Sequence, residues 1–188
     1  IELLVFTQVL PDQVFPQSVS VEGRDRPFYS HIITDHYQYF HDGGATYHNR
    51  FNSWELVRGQ SVDDWKGVVD PPLEDFKKEY HPLQQRPFAL HDKINRMYIQ
   101  EDEEFTCPQI FTLANEFLDT NHDADDWFLQ VESFDPHEPF YAPPRFREDY
   151  STEYRGPTLD WPKYARVNES KEEADEIRAN YSALVAMC

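Results

Sequence analysis

Basic residues are scarce in this chain. Seventeen Lys and Arg face 35 Asp and Glu, giving a formal charge of −18 over 188 residues. Phosphate binding needs clustered Lys and Arg, so the shortage argues against nucleic acid as a partner. It argues equally against docking on anionic lipid. It leaves an anionic small molecule open, because a local site can be positive inside an acidic protein. Cysteine is scarcer still. Cys107 and Cys188 are the only two, too few for a disulfide scaffold and matching no zinc spacing. Cys107 sits in an apolar context and reads as a buried, inert thiol. With six glycines, the chain shows no Gly-rich phosphate cradle, and neither His-Glu-x-x-His nor Gly-x-Ser-x-Gly occurs. No apolar run approaches the length of a membrane helix. Ile1 to Leu10 is apolar but has no basic flank and no small-residue cleavage site, so it does not read as a signal peptide. The compartment and the oligomeric state stay unassigned.

Apolar and aromatic residues are plentiful, at 39% and 15%. That is enough to bury a core in one domain, or in a large piece of one. Residues 1–28 carry little periodic signal. Phe28–Thr34 reads as a strand by its aromatic and β-branched content. Asp35–Arg50 reads as a loop and Phe51–Arg58 as a further strand. Leu73–Tyr80 is a candidate short helix, while His81–Glu103 is polar and irregular. Thr106 as cap, Pro108 in the first turn and an apolar face of Ile110, Phe111, Leu113, Ala114, Phe117 and Leu118 predict a helix over 106–120. Trp127–Ser133 is a strand. Residues 141–168 read as an extended surface loop. The capping box Ser170-Lys-Glu-Glu173 opens a last helix with Ala174, Ile177, Tyr181, Leu184 and Val185 on its apolar face. That helix reaches Cys188 with no stop signal, so the chain is expected to be truncated there. The order of elements predicts an α/β fold with an incomplete, mainly parallel sheet flanked by helices.

Candidate chemistry falls in two places. Strand 127–133 runs into a turn carrying Asp135, His137 and Glu138, with Pro136 and Pro139 around the histidine. Proline fixes φ and removes a donor, so this turn is stiff. Parallel sheets place reactive groups just past the carboxyl ends of their strands. His137, when protonated, can donate to an anionic oxygen or to a leaving group; the competing reading is an ordinary rigid turn. The second place is Asp35-His36, with His41-Asp42 close behind and His31 and His48 outside. His and Asp suit metal or acid–base work, but the spacing matches no metal motif, and solvent-facing histidines are favoured. The pair Asp63-Asp64 could bind a divalent cation, but adjacent turn acids read first as solvated.

Four ordered segments carry a resemblance. They are Thr34-Asp35-His36-Tyr37 followed by Asp42-Gly-Gly, then Trp54-Glu-Leu-Val-Arg-Gly-Gln60 with Asp64-Trp-Lys66, then Trp127 through Pro139, and the terminal Tyr181–Cys188. They resemble the middle of sulfatase-family proteins, of the alkaline-phosphatase-like superfamily, which also includes phosphonate and phosphodiester hydrolases. The likeness spans about residues 29–188, leaving 1–28 unmatched. It implies an alkaline-phosphatase-like α/β domain that hydrolyses sulfate esters of small molecules or carbohydrates. It implies a calcium ion in the complete protein and a formylglycine nucleophile made within Cys/Ser-x-Pro/Ala-x-Arg. His137 matches the family's Pro-His-x-Pro histidine and His36 its Lys-x-His histidine. Both are thereby implied as catalytic, sulfate-contacting residues. Thr34 stands in the lysine's place, Cys107-Pro108-Gln109 is not the nucleophile motif, and no metal ligands are identifiable. The chain is expected to be a central fragment that is inactive or nearly so. The alternative class is a noncatalytic module binding an anion or a protein surface through residues 141–168.

Overall fold

A computed structural model describes residues 3–6 as backbone, and residues 29–60, 63–84 and 90–188 in full. Beyond the strand at 3–6, the unmatched N-terminal segment lies outside the described residues. The chain forms an α/β structure in two compact units, one of residues 1–60 and 106–134, the other of residues 61–105 and 135–188.

The first unit is built on a parallel sheet of β1 (Leu3–Phe6), β2 (Tyr29–Thr34), β3 (Ser53–Leu56) and β4 (Trp127–Glu132), in the order β1-β4-β2-β3. The two central strands pair in register from Tyr29 opposite Trp127 to Thr34 opposite Glu132. Side chains alternate across a strand. Ile33, Leu129 and Val131 therefore share one face, and there they pack with Val57, Ile110 and Ala114. The last two belong to the helix α1 at Thr106–Asn121. Its apolar residues recur at i, i+3, i+4, i+7 and i+8, which is what lays one stripe on the sheet. Leu113, Phe117 and Leu118 close the margin of this core, whereas Phe111 is left exposed. Ile33, Ile110 and Leu129 are wholly excluded from solvent. Each such side chain contributes roughly 1.5–3 kcal/mol of burial. β3 lies at the sheet edge with Trp54 and Glu55 exposed. It is shorter than its sequence signal, which limits unpaired edge backbone.

The second unit has little sheet and a small apolar core. Its helices are α2 (Leu73–Glu79), α3 (Leu90–Arg96), α4 (Pro144–Glu148) and α5 (Lys171–Met187). α3 corrects the expectation of irregular structure over 81–103: its apolar content is too sparse for a stripe, and polar contacts order it instead. Residues 141–168 are also not simply a surface loop. They carry α4, and Ala142, Leu159 and Trp161 are buried. The predicted face of α5 is rotated. Ala179, Asn180, Ala183 and Leu184 are inside, while Tyr181 and Val185 are exposed. Small residues allow close approach on that side, which outweighs the larger rings. The expected capping box is present, with Ser170 Oγ accepting from the Glu173 N–H (3.2 Å) and the Glu173 carboxylate from the Ser170 N–H (2.6 Å).

Arg96 sits at the centre of this unit. It donates from Nη1 to Asp160 (2.6 Å) and from Nε to Asp92 (3.2 Å). Asp92 also accepts from the Tyr80 hydroxyl (3.0 Å), and Asp160 from the Gln84 amide (2.8 Å). Gln84 Oε1 takes the backbone N–H groups of Asp160 and Trp161 in return. The Tyr141 ring lies 4.3 Å from the guanidinium carbon. Burial opposes the Arg96 charge, but Asp160 and Asp92 outweigh it and hold the group protonated. A polar network of this kind specifies one arrangement only when its members are satisfied together.

Candidate functional site

The carboxyl ends of β2 and β4 carry the candidate chemistry. Thr34 and Glu132, the last residues of the two neighbouring strands, are register partners and so share a face. It is the face opposite the α1 packing. Asp35 follows directly and is 1% exposed. Its Oδ1 accepts from the Phe134 N–H at 2.7 Å, tying the exit of β2 to the exit of β4. His36 is next and half-buried. Its N–H donates to Thr34 Oγ1 (3.0 Å), which fixes the turn out of the strand. Its ring lies against Tyr39 (centroids 4.4 Å apart) and Phe134 (5.3 Å).

Below this sits a carboxyl group that the sequence reading passed over. Glu132 is 3% exposed, and its Oε1 accepts from the Tyr39 hydroxyl at 2.8 Å. Burial pushes its acid up, against the pull of hydrogen bonds from Tyr39, Thr34 and Gln130. Burial, then the charge of Glu132, pushes the Tyr39 phenol up as well. Tyr39 thus connects Glu132 to the His36 ring. The alternation of Trp-Phe-Leu-Gln-Val-Glu held the signal for Glu132: Gln130 and Glu132 are polar positions on one face of a central strand. Tyr39 left no such trace. It is placed by the 3-10 turn at Tyr37–Tyr39 and by the tight return at Gly44. A Cβ on Gly44 would lie 2.2 Å from the Gln38 carbonyl oxygen, so only glycine fits that return.

The other histidines of this stretch are dispersed among rings. His31 is buried, stacks on Phe117 at 4.9 Å and bonds Ser53 Oγ through Nδ1 at 2.6 Å. His48 stacks on Phe40 at 4.0 Å, and His41 packs edge-on to Tyr37 at 4.5 Å. Solvent-facing positions were expected. The surplus of aromatics instead draws His31 and His48 inward, where burial lowers the basicity of each. Asp63 likewise departs from the solvated reading: it is 1% exposed, and its carbonyl accepts from the Asn95 amide at 2.8 Å.

In the second unit, Asp135 is buried and His137 exposed. His137 Nδ1 lies 2.8 Å from the Glu138 carbonyl oxygen. A carbonyl only accepts, so Nδ1 carries the proton. In the neutral ring Nε2 then holds the lone pair, and in the charged ring Nε2 donates. The peptide bonds before Pro136 and Pro139 are both cis. His36 and His137 belong to different compact units.

Among the described residues no group of three or more His, Cys, Asp or Glu is arranged to hold a metal ion. Cys107 is buried in the first turn of α1. No described helix is long and apolar enough to cross a membrane. No family model, no curated protein and no solved structure matches the chain.

Proposed function

We propose that this chain carries the anion-contacting histidines of a sulfate-ester hydrolase with an alkaline-phosphatase-like domain. One observation above all supports the reading: the Phe134 N–H bound to the Asp35 carboxylate. It joins the two strand exits that lead into His36 and His137, at the edge where parallel sheets host ligands. In the hydrolysis, water adds to sulfur as the S–O bond to the alcohol breaks. The products are the alcohol and hydrogen sulfate. The imidazolium of His137 donates from Nε2 to a sulfate oxygen, or passes its proton to the departing alkoxide. His36, held by Thr34 and Tyr39, is the candidate donor at the exit of β2. Such donors act by being in place before charge develops. A calcium ion, were the complete protein to bind one, would supply positive charge for a sulfate oxygen; no step here is routed through it.

The substrate is a small-molecule or carbohydrate sulfate ester, with phosphonate or phosphodiester chemistry the nearest relative. Sulfate itself tests the anion site. An anion held by an imidazole N–H changes the ring's surroundings, so added sodium sulfate shifts the ring resonances of His36 and of His137 to saturation at fixed pH. If sulfate leaves both sets of resonances unmoved, the reading fails. With an aryl sulfate and added calcium, turnover is very slow. Robust turnover abolished by His137→Ala would show that the nucleophile and metal ligands do lie within this chain. A noncatalytic binding role for residues 141–168 has one observation in its favour, a cavity of about 610 Å3 walled chiefly by that segment.

A further inference from the structure

The cavity lies wholly in the second unit. Phe140, Tyr141 and Tyr154 give it aromatic walls, and Arg147, Arg155 and Glu176 give it a polar lining. Its volume of about 610 Å3 falls among small-molecule sites, which span roughly 300–1,000 Å3. Its formal charges balance, with Arg96, Arg147 and Arg155 against Glu148, Asp160 and Glu176. Arg147 Nη2 donates to Glu176 at 2.9 Å, and the Arg96 guanidinium in the wall is paired with Asp160. Arg155 donates from Nη1 to the carbonyls of Thr152 (2.9 Å) and Tyr154 (2.8 Å), so its plane is fixed by backbone. Glu176 is further held by Thr152 and by the Asn180 amide at 3.4 Å. Such a lining offers directed donors and acceptors beside flat apolar faces, without a net charge for an ion to neutralise.

That combination fits one chemical class. A sugar ring has hydroxyls that need paired donors and acceptors, and C–H faces that lie on aromatic rings. An inorganic anion would need surplus positive charge, and an apolar ligand would strand the buried polar groups. We propose that this cavity binds an uncharged saccharide of one or two rings. The inference stands apart from the ester chemistry assigned to His36 and His137, because binding is read without turnover.

Gly156 supplies the means of testing it. A Cβ there would lie 2.2 Å from the Tyr154 hydroxyl oxygen, which donates to the Pro157 carbonyl at 2.8 Å. Gly156→Ala therefore drives the Tyr154 ring from its place without touching the polar lining. The experiment titrates the full chain with glucose, galactose, N-acetylglucosamine and cellobiose, following backbone amides by NMR. Glucuronate and inorganic sulfate serve as charged comparators. At least one neutral sugar should saturate with a dissociation constant of about 1 mM or tighter. The perturbed amides should map to residues 140–158 and 176–180, with little dependence on salt. Tyr154→Ala and Gly156→Ala should each weaken it about tenfold, or about 1.4 kcal/mol, with melting curves confirming the fold. Failure of every neutral sugar to saturate overturns the proposal. So does saturation of residues 140–158 and 176–180 by the charged comparators alone, or unchanged affinity in both folded variants. Sulfate shifts at His36 and His137 report the ester reading, whereas only shifts at residues 140–158 and 176–180 count here, so the two readings fail separately.

Discussion

Replacing Glu132 by Gln should stabilise the first unit, and should do so increasingly as pH rises. The carboxyl is buried at the end of the central strand and its acid is raised from the ordinary value of 4.5. The native state therefore holds a proton that the unfolded chain has released. Stability from this group is fully present below pH 4.5 and is lost as pH climbs to the folded value. The loss is no steeper than about 1.4 kcal/mol per pH unit. Gln keeps the shape and can accept from the Tyr39 hydroxyl through its carbonyl, but it cannot ionise. The difference in unfolding free energy between Glu132→Gln and the parent should thus be small near pH 4.5 and grow toward neutrality, then level off. Urea unfolding followed by tryptophan fluorescence at half-unit pH steps measures it. Tyr39→Phe removes the donor to Oε1, which leaves a buried acceptor unmet and costs about 1–3 kcal/mol. In a double-mutant cycle the pair should couple by about 0.5–3 kcal/mol. Parallel stability–pH curves for parent and Glu132→Gln would refute the reasoning.

Arg96→Ala strands Asp92 and Asp160 inside the second unit and should cost about 3–5 kcal/mol in urea unfolding; a loss under 1 kcal/mol would mean the network is not the unit's centre. Ser170→Ala removes the cap of α5 and should cost about 1 kcal/mol, lowering Tm by about 2–4 °C for a chain of this size. His31→Gln combined with His48→Gln should flatten the acid limb of stability. Both imidazoles are lowered from 6.5 by burial. The unfolded chain takes up protons as pH falls through 6.5, while the native state does not. An unchanged acid limb in the double variant would rule this out.

The parts of the fold that were legible in sequence are those with a strong period. The Thr106–Asn121 helix and the strands at Tyr29–Thr34 and Trp127–Glu132 carry dense apolar repeats, and each forms within a residue or two of its expected span. The Leu90–Arg96 helix was not legible, because Asn95 and Arg96 order it through partners 32 and 64 residues away. No local window contains those partners. The same limit hid Tyr39 and Glu132, which are 93 residues apart in sequence and 2.8 Å apart in space. The places of His36 and His137 were legible because strand ends announce themselves. What surrounds His36 was not, since it is assembled from two strands and the turn that leaves one of them.

The two titrations at this sheet oppose one another, and that decides how they must be measured. Between pH 4.5 and 6.5, Glu132 makes stability fall with rising pH, whereas His31 and His48 make it rise. The parent's slope in that window is their difference and can lie near zero even when each contribution is large. A flat parent curve is therefore no sign that the groups are at their ordinary values. Substitution separates them: the glutamine at 132 leaves the histidine term and steepens the rise with pH, while the glutamines at 31 and 48 leave the carboxyl term and tilt the curve downward. Opposite tilts from a flat parent require a proton held by Glu132 and protons refused by the histidines in the same folded unit. If both variants tilt the same way, burial is not what governs these groups, and the polar arrangement beneath His36 loses its physical basis.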